Sequence, residues 1–244
     1  MIFKNLRQLS FSLHSTVAKE PGLWLLYQPY IFWGQTKKKA KGIDPRESVV
    51  NKQTDLVIDG FQGSANSFAT VAFKNMQEKS VRLAHHLHSP SQIIKAVKND
   101  VPVLLTVREP EAAILSLTGR WDYISVTQAL KSYIGFYDKL LPYTDRLVVS
   151  TFKQTTQELD EVIERINNKY DTQFDSVNIE NVSKKSRKKV TETCEQKVLR
   201  QQTKMLKRKE FERVENRALL QKAQNIYEKF EKIALKQQLI LIGK

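Results

Sequence analysis

Short apolar runs alternate with helical patterns between residues 54 and 170. Buried strands are predicted over Asp55–Asp59, Val81–Leu87, Val101–Val107 and Arg146–Thr151. Helices are predicted over Ser64–Glu78, Ser91–Lys98, Glu111–Thr118, Val126–Leu140 and Gln154–Tyr170. Strands that alternate with helices of about 10–15 residues are typical of βαβ units. The pattern therefore predicts an α/β fold with a central parallel sheet flanked by helices.

The two flanking regions have different patterns. Residues 1–53 carry polar, loop-like sequence around Lys37–Asn51 and are interpreted as an irregular segment that packs on the core. Residues 183–244 contain no proline and a single late glycine, which favours helix throughout, as two helices. The predicted organisation is an N-terminal segment over 1–53, a core over 54–182 and a basic helical extension over 183–244.

Composition indicates the kind of partner. The chain has 40 Lys and Arg residues against 26 Asp and Glu residues, a formal net charge of +14, which favours anionic partners. Charge alone does not choose among nucleotides, phosphorylated or sulfated ligands, nucleic acid and acidic membranes. No nucleic-acid reading motif is recognised, so nucleic acid is not favoured. The single cysteine, Cys194, excludes an internal disulfide and indicates a reducing compartment, so the predicted location is cytoplasmic.

The most apolar stretch is Gly22–Trp33, which contains Pro29. It is too short to span a bilayer, since spanning needs about 20 residues. We expect it to pack on the domain. The alternative is peripheral contact with a membrane surface, because its aromatic residues precede the basic run Lys37–Lys41.

The first strand-to-helix turn has the composition of an anion-binding loop. Its sequence is Gly60, Phe61, Gln62, Gly63, Ser64, Ala65, Asn66, Ser67. Unpaired backbone N–H groups at a helix N-terminus stabilise a bound phosphate, and Ser64, Asn66 and Ser67 are predicted to add side-chain donors. Against the Walker A pattern, Ala65 replaces the second glycine and Asn66 replaces the lysine, so the motif is weak for ATP or GTP.

The same loop resembles the 5′-phosphosulfate-binding loop of sulfotransferases, roughly G-[FY]-P-[RK]-S-G-[TN]-[ST]. Gly60, Phe61, Ser64, Asn66 and Ser67 match, whereas Gln62, Gly63 and Ala65 depart from it. A second segment, Val107–Ser116, is similar to the 3′-phosphate motif R-x-P-x-x-x-x-x-S of that family. Its arginine, proline and serine correspond to Arg108, Pro110 and Ser116.

This resemblance implies a P-loop fold and sulfuryl transfer from 3′-phosphoadenosine-5′-phosphosulfate, with adenosine 3′,5′-bisphosphate as product and no metal required. Residues Gly60 to Ser67 would hold the 5′-phosphosulfate, and Arg108 with Ser116 the 3′-phosphate. The acceptor would be a small molecule or a glycan, and the sequence does not identify it. A basic segment, Lys184–Lys189, lies where family members close the site over the nucleotide.

Three of the four histidines fall between residues 85 and 88. Strand alternation predicts that His86 and His88 share one face while His85 occupies the other. The sequence His88-Ser-Pro resembles the H-x-P context of the family's general base, so His88 is the predicted base on the acceptor. An imidazole suits this role because its ordinary pKa lies near neutrality. Zinc is not favoured, because no other cluster supplies ligands.

One departure bears on catalysis. The family's lysine or arginine, which stabilises charge on the leaving phosphate, corresponds to Gly63 here. Arg120 and Lys74 are the candidates for supplying that charge. The alternative is a non-catalytic nucleotide-binding or scaffold relative. A small-molecule kinase is less favoured, since the P-loop lysine is missing.

Overall fold

A computed structural model describes residues 2–40, 49–176 and 193–242. Within these residues four strands form one parallel sheet in the order β2-β1-β3-β4. The strands are β1 (Leu56–Gly60), β2 (Leu83–His85), β3 (Val103–Val107) and β4 (Val148–Thr151). Ile58 in the centre of β1 pairs with His85 of β2 and with Leu104 of β3. The predicted α/β architecture with a parallel sheet is confirmed.

Ten α-helices surround the sheet in the described part of the chain. They are α1 (Ile2–Lys19), α2 (Trp24–Ala40), α3 (Asn66–Met76), α4 (Pro90–Lys98), α5 (Pro110–Arg120), α6 (Val126–Asp138), α7 (Phe152–Gln157), α8 (Leu159–Tyr170), α9 (Cys194–Glu210) and α10 (Val214–Ile242). Helix-capping residues mark where several of these helices begin, as α4 shows. The Ser89 hydroxyl accepts a hydrogen bond from the Gln92 amide, and Pro90 takes the first position of α4, where no N–H is needed.

Both faces of the sheet are covered, so β1 and β3 are buried along their whole length. On one face Val57, Val103 and Leu105 pack against α4, α5, α6 and α10. On the other face Ile58, Leu104 and their neighbours pack against α3 and α8. Strands buried on both sides are continuous apolar runs rather than alternating ones, which is why these runs were recognisable in the sequence.

The C-terminal helices are part of this packing. They form as two helices over the described residues, as predicted, and Ala223, Ile226 and Phe230 of α10 belong to the main core. α10 also covers the free side of β4. The Gln237 side chain accepts from the Val149 amide at 2.9 Å and donates to the Leu147 carbonyl at 2.9 Å.

Three predictions of local structure were wrong. Residues 2–40 are not irregular, because α1 and α2 form there, and Pro29 lies inside α2. The apolar residues on both sides of Pro29 keep that helix packed although proline removes one backbone hydrogen bond. The single helix predicted over Gln154–Tyr170 is divided into α7 and α8 at Glu158, whose backbone is not helical. β2 ends at His85, because the backbone of His86 has a positive φ of 59°. Among the described helices, none is long and apolar enough to cross a membrane.

Candidate anion-binding site

The site lies where the order of the strands reverses. From β1 the chain passes to β2 on one side and then returns to β3 on the other. The segments after β1 and β3 leave the same end of the parallel sheet with a crevice between them, the usual ligand position in such sheets. The loop resembling a phosphosulfate loop follows β1, and Arg108 follows β3. The topology therefore brings the two sequence motifs together.

The β1–α3 loop has an unusual backbone. Gly63 has φ +89° and Ala65 has φ +70°, both in the left-handed region. Such a conformation costs a non-glycine residue about 1–2 kcal/mol, so Ala65 holds a strained position. Backbone N–H groups that follow such turns converge into a concave anion-binding nest. At the start of α3 the amides of Asn66 and Ser67 have no protein acceptor among the described residues.

The base of the loop is fixed by buried polar side chains. The side-chain nitrogen of Asn66, Nδ2, donates to the carbonyls of Gly60 and Phe61, both at 3.1 Å. The side-chain oxygen, Oδ1, accepts a hydrogen bond from the Thr106 hydroxyl. The Tyr137 hydroxyl accepts from the Phe61 amide at 3.3 Å and donates to the Thr106 carbonyl at 2.9 Å. These bonds join the loop to β3 and α6 and fix its backbone shape.

The side chains of Ser64 and Asn66, which were predicted to donate to a ligand, are used inside the protein in this structure. Ser64 is fully buried, with its hydroxyl 3.3 Å from the Tyr137 hydroxyl, and the side chain of Asn66 is used inside the loop. Both residues are short polar groups on a tight turn, so their side chains satisfy neighbouring protein groups. Among the three predicted side-chain donors, Ser67 is the one with an exposed hydroxyl, 2.8 Å from His86 Nε2.

His88 is anchored at the end of β1. Its Nδ1 lies 2.7 Å from the Gly60 carbonyl and 3.2 Å from Oδ1 of the buried Asp59, and its amide donates to Asp59 Oδ2 at 2.9 Å. Because a carbonyl only accepts, Nδ1 carries the proton and the lone pair of the neutral ring is on Nε2. This tautomer is the one a general base at this position needs. Sequence reasoning missed Asp59 in this role, although a carboxylate that ends a buried strand was a usable signal.

The predicted alternation of the histidines on a strand was wrong. His86 and His88 both adopt positive φ, at 59° and 50°, because their rings turn back toward the β1–α3 loop. The rings of His86 and His88 therefore both lie beside this loop. His86 Nδ1 also lies 2.6 Å from His85 Nδ1. The described residues contain no group of three or more His, Cys, Asp or Glu placed to bind a metal ion.

Arg108 and Ser116 meet the loop at the same residue. Arg108 Nη1 donates to the Gly63 carbonyl at 2.8 Å, and its guanidinium lies 3.9 Å from the centre of the Phe152 ring. A Cβ at Gly63 would lie 3.0 Å from Ser116 Cβ. Burial lowers the pKa of Arg108, and the neighbouring Glu109 opposes that shift. A guanidinium remains charged at neutral pH after such a shift.

A cleft of about 330 Å³ opens above the loop. Seven of the sequence-predicted residues line it, and the others lie beneath it or beside it, with Arg108 in an adjoining hollow that shares Phe152. The sequence did not indicate Trp121 or Phe152. The full lining is Gln62, Gly63, Ala65, Asn66, Ser67, His86, His88, Ser116, Arg120, Trp121 and Phe152.

Among the described residues, Arg120 is the arginine or lysine that lines the cleft. It donates to the Ser116 carbonyl at 3.3 Å and lies beside the Ser116 hydroxyl at 3.5 Å. Lys74, the other candidate, lies in the last turn of α3, at the opposite end of that helix from the loop. Burial lowers the pKa of Arg120, and the positive charge of Arg200 lowers it further.

The α9 helix adds cations beside Arg120. Lys204 packs so closely on α5 that a Cβ at Gly119 would lie 3.0 Å from Lys204 Cγ. Burial lowers the pKa of Lys204, and the charges of Arg200, Arg108, Arg120 and Arg208 lower it further, in that order. Mutually repelling cations of this kind are stabilised by a bound anion. A groove of about 440 Å³ beside the cleft is lined by Arg120 and Arg200 among others.

The segment predicted to close the site, Lys184–Lys189, lies outside the described residues. Comparisons of the chain with protein-family models, with curated proteins and with solved structures found no match.

Proposed function

We propose that this chain is a sulfotransferase that binds 3′-phosphoadenosine-5′-phosphosulfate on a P-loop fold. The observation that carries the proposal is the convergence on Gly63. The loop that resembles a phosphosulfate loop and the segment that resembles a 3′-phosphate motif are 45 residues apart at Arg108 and Gly63, yet they are joined by a hydrogen bond. Two motifs of one family, each matched separately in sequence, meet in space at the switch point of the sheet.

The residues at the site suit a nucleotide with two separate anionic groups. The free amides at the start of α3 and the strained nest at Gly63 and Ala65 suit a 5′-phosphosulfate. Arg108, Ser116 and the cations of α9 suit a second phosphate. ATP or GTP is less well suited, because the Walker lysine position is Asn66, whose side chain is committed to the base of the loop.

The proposed chemistry is transfer of the sulfuryl group. When bound, the donor would supply a sulfur atom that forms a bond to an acceptor oxygen or nitrogen, as the bond to the 5′-phosphate oxygen breaks. His88 would take the acceptor proton at Nε2, and buried Asp59 would stabilise the resulting imidazolium. Arg120 would offset the charge that develops on the departing phosphate, the role of the family's loop cation.

Calorimetric titration tests the nucleotide. Adenosine 3′,5′-bisphosphate should bind about tenfold to a hundredfold more tightly than AMP, since a charge-assisted contact contributes about 1.5–3 kcal/mol. Arg108→Gln should weaken binding of the bisphosphate more than binding of AMP. Arg213→Gln is the matched control, because it removes the same charge from an exposed position that lines neither the cleft nor the hollows beside it. Equal affinities for the bisphosphate and AMP would remove the sulfonucleotide proposal.

Turnover tests the catalytic role. We expect His88→Gln to lower the rate of donor hydrolysis, or of transfer to acceptors screened from a cell extract, by roughly two to four orders of magnitude. Bisphosphate affinity should remain close to that of the wild type. If the wild type binds the bisphosphate but transfers sulfate to no acceptor in that screen, the chain is a nucleotide-binding relative without catalysis.

A further inference from the structure

The α2 helix is apolar around its circumference between Trp24 and Trp33, where Gln28 is the one amide or charged side chain. Its inner face packs on the domain, with Tyr27 and Ile31 buried against Ala18 and Leu87. A helix that is apolar on all sides is stable where apolar surroundings cover all of it. The domain covers one side of α2, so the other side requires a second apolar environment.

The outer face of α2 is exposed and continuous. At about 100° per residue, Leu25 and Phe32 project within about 20° of each other, and Leu26 and Trp33 do the same beside them. Measured around the helix from the midpoint of the buried Tyr27 and Ile31, both pairs project about 120–140° away, one on each flank of the outer face. The four side chains are exposed to 80% for Leu25, 69% for Leu26, 68% for Phe32 and 60% for Trp33. Monomeric proteins rarely leave an apolar patch of this kind uncovered without a function.

A second apolar stripe follows the neighbouring helix. Leu6, Leu9 and Leu13 are spaced along one face of α1, and each is more than half exposed. The Tyr27 hydroxyl lies 2.8 Å from Nε2 of His14, which holds α1 and α2 together as one unit. The N-terminal hairpin of α1 and α2 therefore exposes leucine and aromatic side chains from both of its helices.

The charge of the N-terminal hairpin indicates what kind of apolar surface covers its exposed face. Residues 1–40 contain six basic side chains and one acidic side chain, Glu20. Glu20 is already paired, since its carboxylate lies 2.8 Å from Lys139 Nζ. A second copy docked through the same hairpin would bring the same excess of basic side chains to this face, which opposes self-association. An anionic lipid surface attracts the same charges, and tryptophan is favoured at the boundary between headgroups and acyl chains.

We propose that the outer face of α2, together with the leucine stripe of α1, binds the surface of a bilayer that contains anionic phospholipid. The helix lies in the plane of the interface, because its ten-residue apolar stretch is about 15 Å long, half the thickness of the hydrocarbon core. Leu25, Phe32 and Trp33 enter the acyl boundary, and the exposed Lys39 contacts the headgroups. Membrane binding is independent of the nucleotide site.

Co-sedimentation of the full chain with vesicles tests this proposal. The chain should pellet with vesicles of phosphatidylcholine and phosphatidylserine, and much less with phosphatidylcholine alone. The double variant Leu25→Gln, Phe32→Gln should bind about a hundredfold more weakly, because two apolar side chains no longer enter the lipid. The matched control is Val214→Gln, Leu239→Gln on α10, which changes side chains of equal exposure, 81% and 68%. The control should bind like the wild type.

Two further measurements distinguish binding of this face to a membrane from binding to a second copy of the chain. Tryptophan emission of the wild type should shift to shorter wavelength on anionic vesicles, and Trp33→Phe should abolish most of that shift. Absence of wild-type binding to both vesicle types would overturn the proposal, as would unchanged binding by the Leu25, Phe32 variant. A dimer in solution without vesicles, converted to monomer by that variant, would assign the face to a second copy instead. Bisphosphate titration of each variant reports separately on the nucleotide site.

Discussion

Replacing Gly63 by alanine tests the loop geometry on which the proposed site depends. Gly63 has φ +89°, which costs an L-residue about 1–2 kcal/mol. Its new Cβ would lie 3.0 Å from the Ala113 carbonyl oxygen and 3.0 Å from Ser116 Cβ, and overpacking of that kind typically costs about 1–3 kcal/mol. We therefore expect Gly63→Ala to lower the free energy of unfolding by about 2–5 kcal/mol, the sum of the two costs.

Urea unfolding followed by circular dichroism measures this change. Gly34→Ala is the matched control, because Gly34 lies inside α2 with no atom within 4 Å of an added Cβ. The control should gain roughly 0.5–1 kcal/mol from helix propensity. Adding Ser116→Gly to Gly63→Ala should recover part of the packing loss and none of the backbone cost. An unfolding midpoint for Gly63→Ala equal to that of the wild type would refute the reasoning.

The same geometry bears on how a catalytic cation is supplied. A lysine at position 63 would meet the same backbone and packing costs as alanine, with a longer side chain in addition. Restoring the family's residue there is therefore expected to destabilise the loop rather than to raise activity. In the proposed transfer the cation therefore comes from another element, and among the described residues Arg120 is the arginine that lines the cleft beside Ser116.

Two further predictions concern buried groups. Tyr137→Phe should lower the free energy of unfolding by about 1–3 kcal/mol, because it leaves the buried Phe61 amide without its acceptor, and it should weaken bisphosphate binding. Equal stability of this variant would show that the hydroxyl does not hold the loop. Burial, with His88 as a smaller cause, lowers the pKa of His14 to about 4 from 6.5. The unfolded state therefore binds the proton first, and stability falls as pH decreases, by about 2 kcal/mol between about pH 7 and about pH 5. His14→Gln should flatten this part of the profile in urea titrations, whereas an unchanged slope would assign it to other groups.

The sequence predicted what depends on local pattern. Three local patterns each predicted the element in which they lie. They are the continuous apolar runs of β1 and β3, the prolines that begin α4 and α5, and the small residues of the loop between Gly60 and Ser67. It did not predict what distant residues decide. Asn66 faces inward because Thr106 and two loop carbonyls satisfy it, and His86 turns to Ser67. Neither side-chain orientation can be predicted from the sequence before the neighbours of each strand in the sheet are known.

The covering of β4 by α10 has a consequence for synthesis on the ribosome. An uncovered strand edge can pair with another chain, and here the Gln237 amide supplies the partners that a neighbouring strand would otherwise provide. Arg165 adds a further donor to the Val149 carbonyl at 3.0 Å. Gln237 follows Val149 by 88 residues, so β4 is made long before its cover. The nascent chain therefore exposes that edge while α9 and α10 are still being translated.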